Sequence, residues 1–182
     1  MSYIISTATP ADSEAINRLY HNTWVFTYPN EELSVSKEDI EDMLKSTLLV
    51  ETIEAHKKWL SKLPSDIKVL VAKDGESLIG FCYVKRGDDQ SNNKLRAIYV
   101  SPALQGKGVG TLLWAEAVKF LNPSKETDVE LVAYNKSAMH FYERLGFVDT
   151  GKRIIDNEDF RLKSGKILPL AYLTRPPIAV LK

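Results

Sequence analysis

Three glycines stand close together in the segment Val100-Ser101-Pro102-Ala103-Leu104-Gln105-Gly106-Lys107-Gly108-Val109-Gly110-Thr111, between a strand-like run and a helix-like run. Glycine lets a backbone approach a ligand closely, and the unpaired N–H groups at a helix start form a positive end, so this pattern suits a pyrophosphate. An ordinary tight turn uses the same residue types, and the loop alone leaves both readings open. Two nucleotide-binding patterns are excluded. A dinucleotide fold asks for a further glycine where Leu113 stands, and for a loop after the first strand instead of one past mid-chain. A P-loop asks for Gly-Lys-Ser/Thr at the helix opening, but Lys107 is followed by Gly108.

Few other residues offer chemistry by type and spacing. Cys82 is the only cysteine and lies between Phe81 and Tyr83, which excludes an internal disulfide and a thiolate zinc cluster and reads as a small buried hydrophobe. His21, His56 and His140 share no metal-ligand spacing, so no metal is expected. Tyr142 falls on the stripe Ala138, Phe141, Tyr142, Leu145, where periodicity reads a core aromatic, and His140 falls on the surface of the same helix. Residues 31–54 hold eight acidic residues (Glu31, Glu32, Glu38, Asp39, Glu41, Asp42, Glu51, Glu54) against Lys37 and Lys45. A net charge of −6 there would attract a polyamine or a basic peptide end, although solvated helix faces carry such runs too.

The elements that must position these residues follow from pattern. With 182 residues, 44% of them hydrophobic and 26% charged, the chain can bury one core, and one domain over residues 1–182 is expected. Lys plus Arg balance Asp plus Glu at 24 each, so no global attraction to nucleic acid or an anionic membrane is expected. No basic leader and no apolar stretch of membrane-spanning length is seen, and a reducing, cytoplasmic setting is the expectation. A first strand over Ser2 to Thr7 precedes a helix capped by Thr9, with Pro10 and Asp12 in its first turn, running to about Thr23. Two helices follow, over Ser36 to Thr47 and Glu51 to Leu63, then a hairpin of Lys68 to Lys73 and Leu78 to Lys85 joined at Asp74-Gly75. Strand Lys94 to Val100, helix Gly110 to Leu121, strand Val129 to Ala133, helix Ser137 to Leu145 stopped by Gly146, and strands Phe147 to Lys152 and Leu168 to Thr174 complete a mixed α/β order.

Here the chain resembles the GCN5-related N-acetyltransferase (GNAT) superfamily. Gln105-x-x-Gly108-x-Gly110 is similar to that family's acyl-CoA pyrophosphate motif, with the strand ending Val100-x-Pro102 before it. Asn135, Ala138, Phe141-Tyr142 and Leu145-Gly146-Phe147 are similar to its second motif. The two span residues 94–150, and the element order extends the likeness to about residue 175. The resemblance implies a central mixed sheet, flanked by helices, that splays between Lys94 to Val100 and Val129 to Ala133. It also implies acetyl-CoA as acyl donor to a primary amine, a polyamine or a peptide amine among others, by direct attack in a ternary complex. A silent acyl-CoA-binding module and an acyltransferase for longer chains are the alternatives.

The same resemblance implies site residues. Backbone groups of Ile98 and Val100, beside Tyr99, would hold the pantetheine arm, with the Val100 N–H facing the thioester carbonyl. Gln105, Gly106, Lys107, Gly108, Val109, Gly110 and Thr111 would hold the pyrophosphate, and Asn135 and Ala138 would reach the arm from the second strand. Tyr142 takes the position of the acid that protonates the leaving thiolate. Trp24 and Tyr28 belong to the region that covers the amine. Many members place a carboxylate base on the strand that here carries Lys94 and Arg96, so a base acting through water is expected from elsewhere, with Glu31 or Glu32 as the expectation. A homodimer is compatible with all of this.

Overall fold

The sheet begins with β1 (Ile4–Thr7), antiparallel to β2 (Ile67–Asp74), which turns at Gly75 into β3 (Ser77–Lys85). The structure is a computed structural model that describes residues 3–178; Ser2, where the first strand was expected to begin, lies outside them. β4 (Asn93–Val100), β5 (Thr127–Val132), β6 (Val148–Ile154) and β7 (Leu170–Arg175) complete seven strands in the order β1-β2-β3-β4-β5-β7-β6. Every neighbouring pair is antiparallel except β4 and β5, which are parallel.

Both faces of the central strands are covered, which is why β2 and β3 read as nearly continuous apolar runs. Val69, Val71 and Phe81 pack under Ile16, Leu19 and Leu60 of helices α1 (Ser13–Thr27) and α3 (Val50–Leu60). Leu70, Ala72, Cys82 and Val84 face the other way, against Val109, Leu113 and Trp114 of α4 (Val109–Ala117) and Tyr142 of α5 (Lys136–Arg144). Burying each large aliphatic side chain of this kind contributes about 1.5–3 kcal/mol before entropy is charged against it. Gly80 sets how close α4 comes: a Cβ there would stand 3.0 Å from the Tyr99 carbonyl oxygen and 3.1 Å from Leu113 Cδ1.

Helix ends depart from the sequence pattern in instructive ways. Thr9 does cap, with a capping box to Asp12, but it heads a separate 3-10 turn (Pro10–Asp12), and α1 then runs to Thr27, beyond the expected Thr23, until Pro29 stops it. α2 (Lys37–Met43) carries the expected Ser36–Asp39 box yet ends early in turns closed by Lys45 N–H to Asp42 O and Thr47 N–H to Leu44 O. α4 ends at Ala117, short of the expected Leu121, because its last turn tightens to Phe120 N–H on Ala117 O. A 3-10 turn at Glu158–Phe160 was not expected.

Parallel pairing of β4 with β5 covers only Asn93–Leu95 against Thr127–Val129. Beyond it the strands part, and the cause sits in β4. Tyr83 stands opposite Ala97 while Val84 stands opposite Leu95, so Arg96 is an extra residue, a β-bulge that bends β4 away from β5. The expected splay is therefore present, opening after Leu95 and Val129.

Candidate active site

The gap between the parted strands opens into a cleft of about 1010 Å³ that passes through the sheet. Ser101 N–H donates to Ile79 O at 2.8 Å, so residues 101, 99 and 97 direct their backbone groups toward β3, and Ile98 and Val100 direct theirs into the gap. Both residues line the cleft. The bulge produces this parity, because without the extra residue at Arg96 the opposite set of amides would face outward. Gln105 Nε2 donates to the Val100 carbonyl at 3.3 Å, which leaves the Val100 N–H as that residue's outward group.

At the end of β4 the chain enters the glycine loop through a 3-10 turn, Pro102–Leu104. Gly106 (φ +75°) and Gly108 (φ +85°) are left-handed, and no protein atom lies within 4 Å of a Cβ built on either. Gly108 caps α4, and the first N–H in the helix with a carbonyl partner is that of Leu112, bonded to Gly108 O. The N–H groups of Gly108, Val109, Gly110 and Thr111 have no carbonyl acceptor, and together they form a concave, positive end open to the cleft. Gly110 differs from the other two. Its φ is ordinary, and a Cβ there would press on the Phe141 ring at 3.1 Å, so it is a packing glycine that brings α4 against α5. Val109 is buried in the core and contributes only backbone, and Lys107 is exposed outside the cleft wall.

Across the gap, Asn135 caps α5 by accepting from Ala138 N–H at 3.0 Å, and its Nδ2 donates to the Tyr28 hydroxyl at 3.4 Å. Tyr142 is 6% exposed, packs on Phe147, and lines the cleft. Its hydroxyl has no hydrogen-bond partner among the described residues and is not sealed from solvent, so it opens onto the cleft. Burial pushes the Tyr142 hydroxyl well above its ordinary pKa, with Tyr28 and Cys82 adding to the effect, so it holds its proton. Burial also raises Cys82, which is fully enclosed and cannot act as a nucleophile.

On the α1 side the wall is aromatic. Trp24 Nε1 donates to the Tyr99 hydroxyl at 2.8 Å, Tyr28 lies 4.3 Å from Trp24 between ring centres, and Tyr20 stands edge-on to Tyr99 at 5.2 Å. Phe160 closes this wall at 6.0 Å from Trp24, delivered by the turn that the sequence pattern did not disclose. A clasp holds that turn: Ser164 N–H donates to Asp39 Oδ1 at 3.0 Å, and Lys166 Nζ donates to the carbonyls of Leu33 and Ser34.

Glu31 and Glu32 are exposed on the turn before α2 and do not line the cleft. The carboxylates that do are Glu130 and Asp159, neither with an ion-pair partner among the described residues. Glu130 follows the last parallel rung on β5, beside Arg96 on β4. An acidic residue set among Val129, Leu131 and Val132 was the available signal for it. Lys94, on the strand where many members of the resembled family carry a carboxylate, is engaged by Asp128 at 2.6 Å and by the Tyr172 hydroxyl at 3.2 Å.

Residues 65–149 match the family model described as acetyltransferase (GNAT) domain. That stretch, a little under half of the chain, is similar to GNAT acetyltransferases. Mycothiol acetyltransferase of Gordonia bronchialis is 36% identical over 87 residues, 47% of this chain, and the match spans 27% of that relative's length. The peptidyl-lysine N-acetyltransferase YjaB of Salmonella typhimurium is 27% identical over 135 residues, 74% of this chain and 81% of its own. Among solved structures, PaiA N-acetyltransferase of Thermoplasma acidophilum in complex with coenzyme A superposes with a TM-score of 0.70 over 97% of this chain and 99% of its own, at 22% identity. At that identity the likeness is one of fold, and this chain shares that architecture over nearly its whole length. No helix among the described residues is long and apolar enough to cross a membrane.

Proposed function

We propose that this protein is a GNAT N-acetyltransferase that moves an acetyl group from acetyl-CoA to a primary amine by direct attack in a ternary complex. One observation carries the reading: the outward backbone edge of β4 leads directly into the unpaired N–H groups at the start of α4, within one cleft that also holds an unpartnered tyrosine hydroxyl and a carboxylate. Acetyl-CoA, when bound, supplies an acetyl group activated as a thioester. The N–H groups of residues 108–111, with Gln105, Gly106 and Lys107 beside them, would hold its pyrophosphate, and Ile98 and Val100 would hold the pantetheine arm as an added strand. Asn135 and Ala138 bound the arm on the β5 side, and Tyr99 backs the same edge.

The Val100 N–H faces the position where negative charge develops on the acetyl carbonyl oxygen. Glu130 takes the proton that an amine of pKa near 10 must lose before it attacks. Tyr142 gives its proton to the leaving sulfur as the new C–N bond forms and the C–S bond breaks. Trp24 and Tyr28 border the amine on the α1 side. A cytoplasmic setting belongs to the same proposal.

The test is acetyl-CoA consumption over a panel of polyamines, arylalkylamines, amino acids and peptide N-termini, in the parent protein and in Glu130→Gln. Turnover with at least one amine is expected. In Glu130→Gln the rate should fall by about 10² to 10⁴ and climb with pH toward the amine's own pKa. Tight acetyl-CoA binding with no amine turned over would reject the enzyme reading, and an unchanged pH profile in the variant would remove Glu130.

A further inference from the structure

Resting on the acetyltransferase reading, we infer that the acceptor is a small amine with a flat, apolar body that carries one hydrogen-bond-accepting group, and that it is not a polyamine. The charges in the structure argue against a polycation. None of the eight acidic residues between positions 31 and 54 lines the cleft. Asp39 accepts from Ser36 and Ser164, and Glu41, Asp42 and Glu54 pair with Lys37, Lys45 and Lys57 on their own helices or turns. Both cleft carboxylates, Glu130 and Asp159, are exposed and therefore at the mouth. The inner wall on the α1 side, formed by Tyr20, Thr23, Trp24, Tyr28, Tyr99 and Leu170, carries no charge. A second ammonium pushed past the mouth would be desolvated without a carboxylate to meet it.

What the inner wall does offer is ring surface and one hydroxyl proton without an acceptor. Tyr20, Trp24, Tyr28 and Phe160 form a continuous set of rings with centres 4.3 to 6.0 Å apart, a wall suited to stacking a flat body. The Tyr99 hydroxyl lines the same cleft and accepts from Trp24 Nε1, and its own proton has no acceptor among the described residues. That proton is the donor the wall presents to a ligand oxygen.

Tyramine and phenethylamine are the paired probes, since they differ by one phenol oxygen, with spermidine and a lysine peptide as competitors. Each is measured twice, by acetyl-CoA consumption and by calorimetric binding to the CoA-loaded protein. Tyramine should be preferred to phenethylamine by about 2- to 10-fold, the worth of one hydrogen bond, and both should exceed spermidine and the peptide. Tyr99→Phe, which keeps the ring, should shrink the tyramine-to-phenethylamine ratio toward one. Phe160→Ala, on a partly exposed turn, should weaken both arylalkylamines together. Spermidine or the peptide as best ligand, or no arylalkylamine binding, overturns the inference. Arylalkylamine binding without turnover upholds it while rejecting the enzyme reading.

Discussion

Tyr142 is where the proposed chemistry is narrowest, because its ring belongs to the core and only its hydroxyl faces the cleft. Tyr142→Phe keeps the packing against Phe147 and removes the one group placed to protonate the leaving sulfur. Steady-state kinetics should show turnover lower by about 10² to 10⁴, the contribution of a positioned general acid. Acetyl-CoA affinity by calorimetry should change by no more than the roughly 0.5–1.5 kcal/mol of a lost hydrogen bond. Wild-type turnover would return Tyr142 to the role of a core aromatic. The glycines separate in the same way. Gly108 has open space around it and a left-handed φ, so Gly108→Val should leave the fold largely intact, at a strain cost of about 1–3 kcal/mol, and strongly weaken acetyl-CoA binding. Gly110→Ala should instead lower thermal stability through Phe141. Equal loss of affinity with no loss of stability in Gly110→Ala would make both glycines part of the ligand cradle.

Among the elements, β4 is the one on which the site depends, and its two ends are controlled differently. Its far end is freed by the Arg96 bulge, and its near end is fixed by Asn93. Asn93 is fully buried: its Oδ1 accepts from Gly87 N–H and Asn122 N–H, both at 2.9 Å, and its Nδ2 donates to Asn122 O and Lys125 O. One side chain thus ties the β3–β4 connection to the α4–β5 connection at the first rung of the parallel pairing. Asn93→Ala should lower stability by about 2–4 kcal/mol, since several buried backbone groups lose their partner at once. Urea denaturation measures this directly, and a loss below about 1 kcal/mol would mean that water replaces the side chain. Beside it, Asp128 is opposed by burial but held below the usual carboxylate range by Lys94, Tyr172 and Asn92, so it stays ionised at neutral pH. Its contribution is present above the unfolded carboxylate pKa near 4 and is lost as pH falls through its lower folded value.

For the molecule as a whole, the aromatic wall that shapes the cleft also sets an alkaline limit. Burial raises the pKa of Tyr20, Tyr99 and Tyr142, and pushes Tyr134 up to about 12. In the unfolded chain these tyrosines ionise near 10, so above that pH the unfolded state binds fewer protons than the native state and stability falls. The urea midpoint should therefore be level from pH 7 to 9 and drop steeply between pH 10 and 12, with a shallower drop in Tyr20→Phe. A midpoint unchanged to pH 12 would mean that these hydroxyls are solvated in the folded protein.

The proposed cofactor half of the site is local: Gln105 to Thr111 are contiguous, and Asn135 to Tyr142, whose roles the family resemblance implied, lie within one helix and its cap. Element order along the chain and helix existence were legible because apolar periodicity records which faces are covered. The acceptor half was not. Tyr20, Thr23 and Tyr99 come from distant elements, Phe160 and Asp159 arrive on a turn without periodicity, and Glu130 becomes accessible only because an extra residue at Arg96 parts two strands. The acidic run at residues 31–54 shows the converse, since its charge is plain in the sequence yet none of it lines the cleft, and Asp39, Glu41, Asp42 and Glu54 are engaged locally by a cap and neighbouring lysines. Residue type and spacing determined what could hold a pyrophosphate; which carboxylate and which rings border the proposed amine site was decided by long-range packing, between partners 75 to 125 residues apart such as Trp24 with Tyr99 and Asp39 with Ser164.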